Sequence, residues 1–342
     1  MHFGLLAYHP EGGRQFGGVG LMLRRPDVVI RVARDPALND FEGSGRMADR
    51  AVAFARQFVE GAASERIAAH VPPVRIEVRR VPRPHTGLGS GTQLGMAVAR
   101  AMAGMIERDD LGPDVLCRLV GRGQRSAVGV HGSMVGGLIV DGGKYDSSRL
   151  SPLVGRLPFP KKWRILLVRP RALNGLAGSA ERRAFSELPP IDGQLTSRMC
   201  RLVLLGLLPA IVEQDVDQFG EALFELQQLA GECFKSAQGG VYADPFLARV
   251  VDHIRGCGVR GVGQSSWGPT LYAVCPTEPA ARGLEADLRE HFELDPDELL
   301  VTSADEHGTT LRRHSDQCDD GTPLQPKAAT GQTTTGPHRY SN

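Results

Sequence analysis

The segment that most constrains this chain is Pro84–Gln93, where three glycines and the hydroxyl residues Ser90 and Thr92 stand between a predicted strand and a predicted helix. Val74–Val81 alternates valine and isoleucine with charged residues, and Gln93–Arg108 has a strongly helical composition. Glycine accepts positive φ and brings backbone N–H groups close to an anion, and the first N–H groups of a helix lack intrahelical acceptors. The segment therefore predicts a phosphate-binding loop. On spacing alone, a tight turn capped by serine or threonine is the alternative.

The predicted phosphate contacts lie in the centre of this loop. No lysine follows the last glycine, as a Walker A loop would require, and the glycine spacing is not that of the dinucleotide fingerprint. The hydroxyl of Ser90 could donate to a phosphate or ligate a metal ion. The residues that we predict to bind phosphate are Gly87, Leu88, Gly89, Ser90, Gly91 and Thr92.

Composition and charge argue against several classes of protein. The 342 residues carry a formal net charge of +1 and only 6% are aromatic, unlike the basic, aromatic-rich surface of a nucleic-acid-binding protein. The N-terminus has no basic segment followed by a long apolar run, so no signal peptide is predicted, and Leu202–Val212 is too short to span a bilayer. We therefore expect a cytoplasmic protein without nucleic-acid or membrane partners. The sequence leaves open whether it is a monomer or a homodimer.

The cysteines do not predict a metal site or a disulfide framework. They are widely separated, with no C-x-x-C pair, and we expect no histidine at ligand spacing beside them. We expect most of them to be buried apolar thiols, the usual environment of a free cysteine. The six are Cys117, Cys200, Cys233, Cys257, Cys275 and Cys318.

The chain is long enough for two lobes, and its composition marks where they would meet. Three prolines and two lysines between residues 151 and 162 precede the apolar strand Trp163–Val168. Strands and helices on both sides predict an α/β (α+β) fold, with an N-terminal β-α-β phosphate-binding domain over residues 1–155 and a C-terminal split βαβ sandwich over residues 156–306. Residues 307–342 are rich in threonine, glycine and proline and predict a disordered tail.

The glycine loop resembles a known family. Its Pro-x-x-x-Gly-Leu-Gly-Ser string is similar to the phosphate loop of the GHMP kinase superfamily, and His85–Gln93 resembles more specifically a non-kinase branch, the β-ribofuranosylaminobenzene 5′-phosphate synthases. Several other blocks, in the same order, carry the resemblance along nearly the whole chain to about residue 303. These blocks are His2–Leu6, Phe16–Gly20, Gly121–Ser126, Gly136–Gly143 and Gly261–Pro269.

The resemblance implies a two-lobed GHMP-kinase-like fold and a ribosyl transfer. Ribose 5-phosphate would pass from phosphoribosyl pyrophosphate to 4-aminobenzoate or 4-hydroxybenzoate, with loss of carbon dioxide and pyrophosphate, early in the synthesis of a methanopterin-type carrier. Mg²⁺ is the expected cofactor, because pyrophosphate leaving groups are usually bridged by a metal ion that takes few protein ligands. Relatives usually carry a strand before the block that begins at His2, so we expect either an upstream start or a first lobe without that edge strand.

Two residues are predicted to take part in the chemistry. Asp141, at a strand end before two glycines, is the candidate acidic residue near the metal ion or the sugar, and Ser90 would be a second metal ligand. An Asp-Gly turn cap is the alternative for Asp141. His85 adjoins the phosphate loop and could donate to a phosphate oxygen, or it could be structural. His2 is a weaker candidate of the same kind.

Two further segments supply candidate ligands for the substrates. Arg122 and Arg125 lie in a glycine-punctuated loop, where a guanidinium could hold a phosphate or a benzoate carboxylate; solvated surface arginines are the alternative. In the second glycine-rich block, the polar side chains are predicted to form hydrogen bonds to the ligand. The tryptophan is predicted to line the pocket of the aromatic acceptor, and a packing role is its alternative. The residues concerned are Gln264, Ser265, Ser266 and Trp267.

Two other functions stay open at this point. One is an ATP-dependent small-molecule kinase of the same fold. Kinases of this superfamily commonly carry an aspartate after the phosphate loop, and the corresponding position here is Gly129, which weakens that hypothesis. The other is a non-catalytic module that binds a phosphorylated metabolite.

Overall fold

The computed structural model describes residues 1–8, 13–146, 148–173, 175, 178–266 and 268–313, with the side chains of residues 178–182 left out. In chain order, the strands are β1 (His2–Leu5), β2 (Gly18–Leu21), β3 (Val29–Arg34), β4 (Glu42–Gly45), β5 (Val74–Arg80), β6 (Leu138–Asp141), β7 (Leu153–Leu157), β8 (Arg164–Val168), β9 (Gly261–Gln264), β10 (Leu271–Cys275) and β11 (Leu299–Thr302).

The helices alternate with these strands. They are α1 (Ala48–Ser64), α2 (Ser90–Met105), α3 (Pro113–Leu119), α4 (Val128–Val135), α5 (Gly178–Glu187), α6 (Gly193–Leu202), α7 (Leu208–Glu213), α8 (Val216–Gln238), α9 (Pro245–Gly256) and α10 (Glu278–His291). The sequence pattern of Gln194–Glu213 predicts one helix, and the π-helical segment Val203–Leu207 joins α6 to α7 within it, so the helix is continuous but changes its winding.

The strands form three sheets. The first has the order β1-β2-β6-β7 and the third the order β11-β8-β10-β9, and both are antiparallel throughout. In the second, β3-β5-β4, the β4–β5 pair is parallel. Sheets interleaved with helices confirm the predicted α/β fold class.

Three apolar clusters hold the elements together. The first joins one face of the third sheet, α8 and the first sheet, with the buried rings of Phe3, Phe219 and Tyr272 in contact. The second lies between α1, α2 and β5. The third packs α9 and α10 against the other face of the third sheet. Burial of these apolar surfaces is the main term that stabilises the fold.

The predicted division between residues 155 and 156 stays a prediction. It falls inside β7, which pairs with β6 along its length, and the residues Met1–Thr310 form one compact unit. At the predicted tail, Thr309 donates its amide to Ser133 O at 2.7 Å, so the first residues of that segment contact α4. The prediction of disorder for residues 314–342 lies outside the described residues.

One helical run bears on the predicted absence of a membrane partner. Among the described residues, Gly193–Glu213 is long and apolar enough to cross a membrane by length and composition, and 28% of its apolar window is buried. It is longer than the Leu202–Val212 segment considered from the sequence. Met199 and Leu207 pack into the first cluster, whereas Leu204 and Leu205 are exposed. A single run of this kind is weak support for a span, because helices with one core-facing side pass the same test.

Candidate active site

The N-terminus of α2 lies inside the glycine loop. Gly89 has φ +66°, a left-handed conformation that favours glycine, and its carbonyl accepts the amides of Thr92 and Gln93 at 3.0 Å each. A Cβ built on Gly89 would meet nothing within 4 Å, so the space beside the helix end is open. The helix therefore begins at Ser90, three residues earlier than predicted, and the amides of Ser90 and Gly91 precede the first ones that bond to the Gly89 carbonyl.

Two arginines flank this helix end. A Cβ at Gly91 would lie 2.8 Å from Nη2 of Arg50 and 3.4 Å from Nη2 of Arg122. Both guanidinium groups lie over the ring of Phe54, at 5.8 Å for Arg50 and 4.8 Å for Arg122. Stacking on an aromatic ring helps to hold a guanidinium in place. Two cations and a helix N-terminus thus converge at Gly91, an arrangement typical of phosphate-binding sites.

The first part of the glycine loop packs against the second glycine-rich block. Gly87 has φ +84°, and a Cβ there would lie 2.1 Å from Ser265 O; a Cβ at Gly268 would lie 2.0 Å from Gly87 N. The hydroxyl of Ser265 donates to Gly87 O at 2.9 Å. Leu88 packs against the first apolar cluster. Gly87 and Leu88, predicted to bind phosphate, therefore join two loops, and the open side of the loop starts at Gly89.

A chain of hydrogen bonds runs from this junction to Asp141. The backbone N–H of His2 donates to Ser265 Oγ at 3.2 Å, and His2 Nε2 lies 3.0 Å from Ser126 Oγ. The hydroxyl of Ser126 donates to Asp141 Oδ2 at 2.7 Å, so His2 Nε2 is the donor to Ser126. Burial, followed by the nearby Met1 ammonium, lowers the pKa of His2 to about 4. His2 is therefore neutral near pH 7 and fixes the orientation of Ser126.

Asp141 is buried behind the loop, with 1% of its surface exposed. Besides Ser126, it accepts the amides of Ala127 at 2.8 Å and Gly143 at 3.0 Å. Burial raises the pKa of this carboxyl above 3.8, and the hydrogen bonds from Ser126, Gly143 and Ala127 oppose that shift. These contacts anchor the start of α4. That start touches α2, because Gln93 Nε2 donates to Gly129 O at 2.9 Å.

The predicted Mg²⁺ ligands do not fit a metal site as arranged. Mg²⁺ needs accessible oxygen ligands and keeps several of its waters. The Asp141 oxygens already accept three protein donors, and Ser90 is only 5% exposed. The roles of Asp141 in catalysis and of both residues in metal binding stay predictions.

Two buried contacts fix the loop that carries Arg122 and Arg125. Lys144 is 2% exposed and donates from Nζ to Gly123 O at 2.7 Å, and burial lowers its pKa. The guanidinium of Arg125 lies 4.2 Å from the ring centroid of Phe185. Arg125 is thus half-buried against an aromatic ring, whereas Arg122 reaches the α2 N-terminus. The two predicted arginines therefore lie in different environments.

The other predicted residues have separate surroundings. Gln264 is buried, and its side chain accepts the amide of Ala243 at 2.8 Å and donates to Ser266 O at 3.0 Å. Ser266 is exposed, with φ +55°. His85 is also exposed, with φ +61°. Trp267 lies outside the described residues. Their roles in binding stay predictions.

Three residues of this site were not predicted from the sequence: Arg50, Ser126 as a hydrogen-bond relay, and Lys144. Ser126 stands in one of the blocks that carry the family resemblance, which was a usable signal. Arg50 and Lys144 had none, because an arginine on a helix and a lysine after Asp-Gly-Gly are ordinary surface patterns.

Comparisons with known proteins agree with this architecture. The family profile GHMP kinases C terminal matches residues 207–294. The β-ribofuranosylphenol 5′-phosphate synthase of Methanothermobacter thermautotrophicus is 30% identical over 330 residues, covering 91% of this chain and 96% of the relative. The protein of the same name from Archaeoglobus fulgidus is 33% identical over 306 residues, covering 85% and 90%.

Solved structures support the fold. Homoserine kinase from Cytophaga hutchinsonii superposes with a TM-score of 0.61 at 16% identity, covering 85% of this chain and 90% of that one. Mevalonate diphosphate decarboxylase from Enterococcus faecalis gives 0.61 at 14% identity, covering 90% and 94%. The two-lobed GHMP-kinase-like fold and the resemblance predicted from the motif blocks are therefore confirmed. The chain belongs to the β-ribofuranosylphenol 5′-phosphate synthase family, enzymes of the pentosyltransferase type on a GHMP-kinase fold.

Proposed function

We propose that this enzyme transfers ribose 5-phosphate from phosphoribosyl pyrophosphate to the ring carbon of 4-hydroxybenzoate that bears the carboxylate. The bond from ribose C1 to pyrophosphate breaks, and a carbon–carbon bond forms between C1 and the ring. The bond to the carboxylate then breaks, its electron pair returns to the ring, and carbon dioxide leaves. The names of the relatives specify a phenol product, which favours 4-hydroxybenzoate over 4-aminobenzoate as acceptor.

The observation that carries the proposal is the convergence of Arg50, Arg122 and the α2 N-terminus at Gly91. A donor with a diphosphate and a 5′-phosphate needs cationic groups and unpaired N–H donors in one place, and this helix end supplies both. The open space beside Gly89 leaves room for the phosphate oxygens. As pyrophosphate departs, negative charge grows on its oxygens, and fixed donors stabilise that charge without reorganising.

The hydrogen-bonded residues His2, Ser126 and Asp141 would position the site from behind the glycine loop. Asp141 holds Ser126 and the amide of Ala127, and this segment leads into α4, which contacts α2 at Gln93. We propose that Asp141 positions the substrate-facing residues and does not itself touch substrate. Mg²⁺, if it takes part, would arrive bound to the diphosphate and neutralise part of its charge.

Purified full-length protein tests the reaction directly. Phosphoribosyl pyrophosphate is incubated with 4-hydroxybenzoate or 4-aminobenzoate labelled in the carboxyl carbon, with Mg²⁺, and released carbon dioxide and pyrophosphate are measured. We expect both products in equal amounts with the hydroxy acceptor. Phosphate transfer from ATP to a metabolite would support the kinase hypothesis instead, and tight binding of the donor without turnover would support a binding module.

Two arginine variants test the site. Arg50→Ala and Arg122→Ala should each raise the KM for phosphoribosyl pyrophosphate by roughly ten- to a hundredfold, since a charge-assisted contact contributes about 1.5–3 kcal/mol. Arg56→Ala is the matched control, because Arg56 lies on the same helix as Arg50 but pairs with Asp40 at the surface. An unchanged KM in both test variants would remove the α2 N-terminus from the proposal.

A further inference from the structure

A group of metal-binding side chains lies at the ends of α9 and α10, away from the glycine loop. His253 Nε2 is 2.5 Å from Asp287 Oδ2, and Cys257 Sγ is 3.6 Å from the same oxygen. One ligand atom from each of the three residues lies within 4.8 Å of the other two. We call these residues the helix-end cluster. It brings a nitrogen, a sulfur and an oxygen ligand together at the surface.

The spacing of the cluster follows from the two helices. His253 and Cys257 are four residues apart at the end of α9, so their side chains share one face, and Asp287 projects from α10 beside them. The buried contacts of the third apolar cluster, among them Val250, Ile254 and Leu288, hold α9 and α10 against the same sheet. The three ligands therefore come from two elements whose relative position is fixed by packing.

One of the ligand separations already has the value expected around a tetrahedral zinc ion. Zinc bonds of about 2.3 Å to sulfur and 2.0–2.1 Å to oxygen or nitrogen place a sulfur and an oxygen ligand about 3.5 Å apart, and a nitrogen and an oxygen ligand about 3.3 Å apart. The observed Cys257–Asp287 separation of 3.6 Å matches the first value. The His253–Asp287 separation of 2.5 Å is that of a hydrogen bond, and a rotation that opens it by under an ångström would admit the ion.

We propose that His253, Cys257 and Asp287 bind one zinc ion that clips the end of α9 to α10, with water in the fourth position. The mixture of thiolate, imidazole and carboxylate selects a borderline-soft ion such as zinc and disfavours Mg²⁺, which prefers oxygen alone. His291 does not fill the fourth position, because its ring stacks on that of His253 with centroids 4.1 Å apart and planes 26° apart. Stacked rings cannot both direct a nitrogen at one ion.

This site was not predicted from the sequence. The cysteines were expected to be apolar, with no histidine at ligand spacing, yet His253 stands four residues before Cys257. Asp287 is 34 residues from His253 along the chain, so only the packing of the two helices completes the set. Of the five described cysteines, only Cys117 and Cys275 are buried; Cys233 is half-buried and Cys200 and Cys257 are exposed, so the burial expected for most of them is wrong for these residues.

Cobalt substitution tests the proposal on the full-length protein. Under reducing conditions, we expect one Co²⁺ per chain, with a near-ultraviolet thiolate-to-cobalt charge-transfer band that zinc abolishes. Cys257→Ser should remove the band, and Cys200→Ser, which changes the other cysteine that is exposed in the described part of the chain, should leave it intact. His253→Gln and Asp287→Asn should each weaken zinc binding at least tenfold by isothermal titration.

A thermal measurement gives a second, independent readout. Zinc at a hundred times its Kd increases the free energy of unfolding by RT ln(1 + [Zn]/Kd). With an unfolding entropy of about 2.1 cal/mol/K per residue over Met1–Thr310, this stabilisation corresponds to a Tm increase of about 4 °C. Mg²⁺ at the same concentration should give no increase that depends on Cys257. A charge-transfer band that is missing in the wild type, survives Cys257→Ser or disappears in Cys200→Ser would overturn the proposal. Unchanged zinc affinity in His253→Gln or Asp287→Asn would do so as well.

Discussion

Replacing Asp141 by asparagine separates an anchoring role from a catalytic one. The carboxylate accepts three hydrogen bonds, from Ser126 and Ala127 on one oxygen and from Gly143 on the other. Asparagine keeps one acceptor oxygen and replaces the other with an NH₂ group. That group would face the N–H of either Ala127 or Gly143, so at least one hydrogen bond is lost and two donors are opposed in a buried site.

The size of the effect follows from this count. A buried donor left without an acceptor costs about 1–3 kcal/mol. With an unfolding entropy near 2.1 cal/mol/K per residue over the compact unit Met1–Thr310, or about 0.65 kcal/mol/K, the Tm should fall by about 1.5–5 °C. Because burial raises the folded-state pKa of Asp141 above 3.8, its contribution to stability is complete below 3.8 and declines as the pH rises through the folded-state pKa.

Melting curves and steady-state kinetics on the same samples measure both roles. Asp146→Asn is the matched control, since this exposed aspartate also accepts hydrogen bonds, from the amide of Ser148 at 2.8 Å and its hydroxyl at 2.7 Å, and should change the Tm by under about 1 °C. If Asp141→Asn melts like the wild type while kcat falls a hundredfold or more, the carboxylate acts on the substrate and the anchoring argument is wrong.

Two further predictions concern the neighbours of Asp141 and the glycine loop. The pKa of His2 is lowered from 6.5 to about 4, so its contribution to the free energy of unfolding is complete above pH 6.5 and is lost as the pH falls toward 4. The loss is about 1.4 kcal/mol per pH unit for one proton. His2→Gln should flatten this pH dependence in denaturant titrations, and an unchanged slope would contradict the assignment. Gly87→Ala should destabilise the protein by more than about 2 kcal/mol, because its Cβ would lie 2.1 Å from Ser265 O at φ +84°. A Cβ at Gly89 would meet no neighbour, so Gly89→Ala should lower the free energy of unfolding by only about 1–2 kcal/mol. It should still raise the KM for the ribosyl donor, because the Cβ would stand in the open space beside the helix end. Equal losses of Tm in the two glycine variants would refute this difference in packing.

The sequence determined the elements whose pattern is local. The apolar positions Ala51, Phe54 and Phe58 predicted the buried face of α1, and all three are buried. The sequence pattern of Glu278–His291 predicts a helix, and α10 has the same bounds. The glycine loop and the order of the motif blocks were enough to identify the family. The hydrophobic repeat of a helix or a strand shows which of its faces is buried, and this repeat can be read from a few consecutive residues.

Some elements were missed because their local pattern is weak. α4 contains Gly129 and Gly132, residues that disfavour a helix in isolation, and it forms because its apolar side packs between α2 and the first sheet. β7 has exposed and half-exposed residues throughout, so it lacks the alternation that marks a strand, and pairing with β6 defines it. Tertiary packing overrides propensity in both.

The tertiary structure alone decided which side chains meet. Gly87 and Ser265 are 178 residues apart, and their contact makes the first glycines of the loop a packing surface and leaves its second half open to a ligand. Arg50 comes from α1 to the N-terminus of α2, and Asp141, predicted to face the substrate, lies buried behind the loop. Sequence patterns describe the environment of one element at a time. The identity of a neighbour depends instead on how the sheets and helices pack, which long-range burial of apolar surface determines.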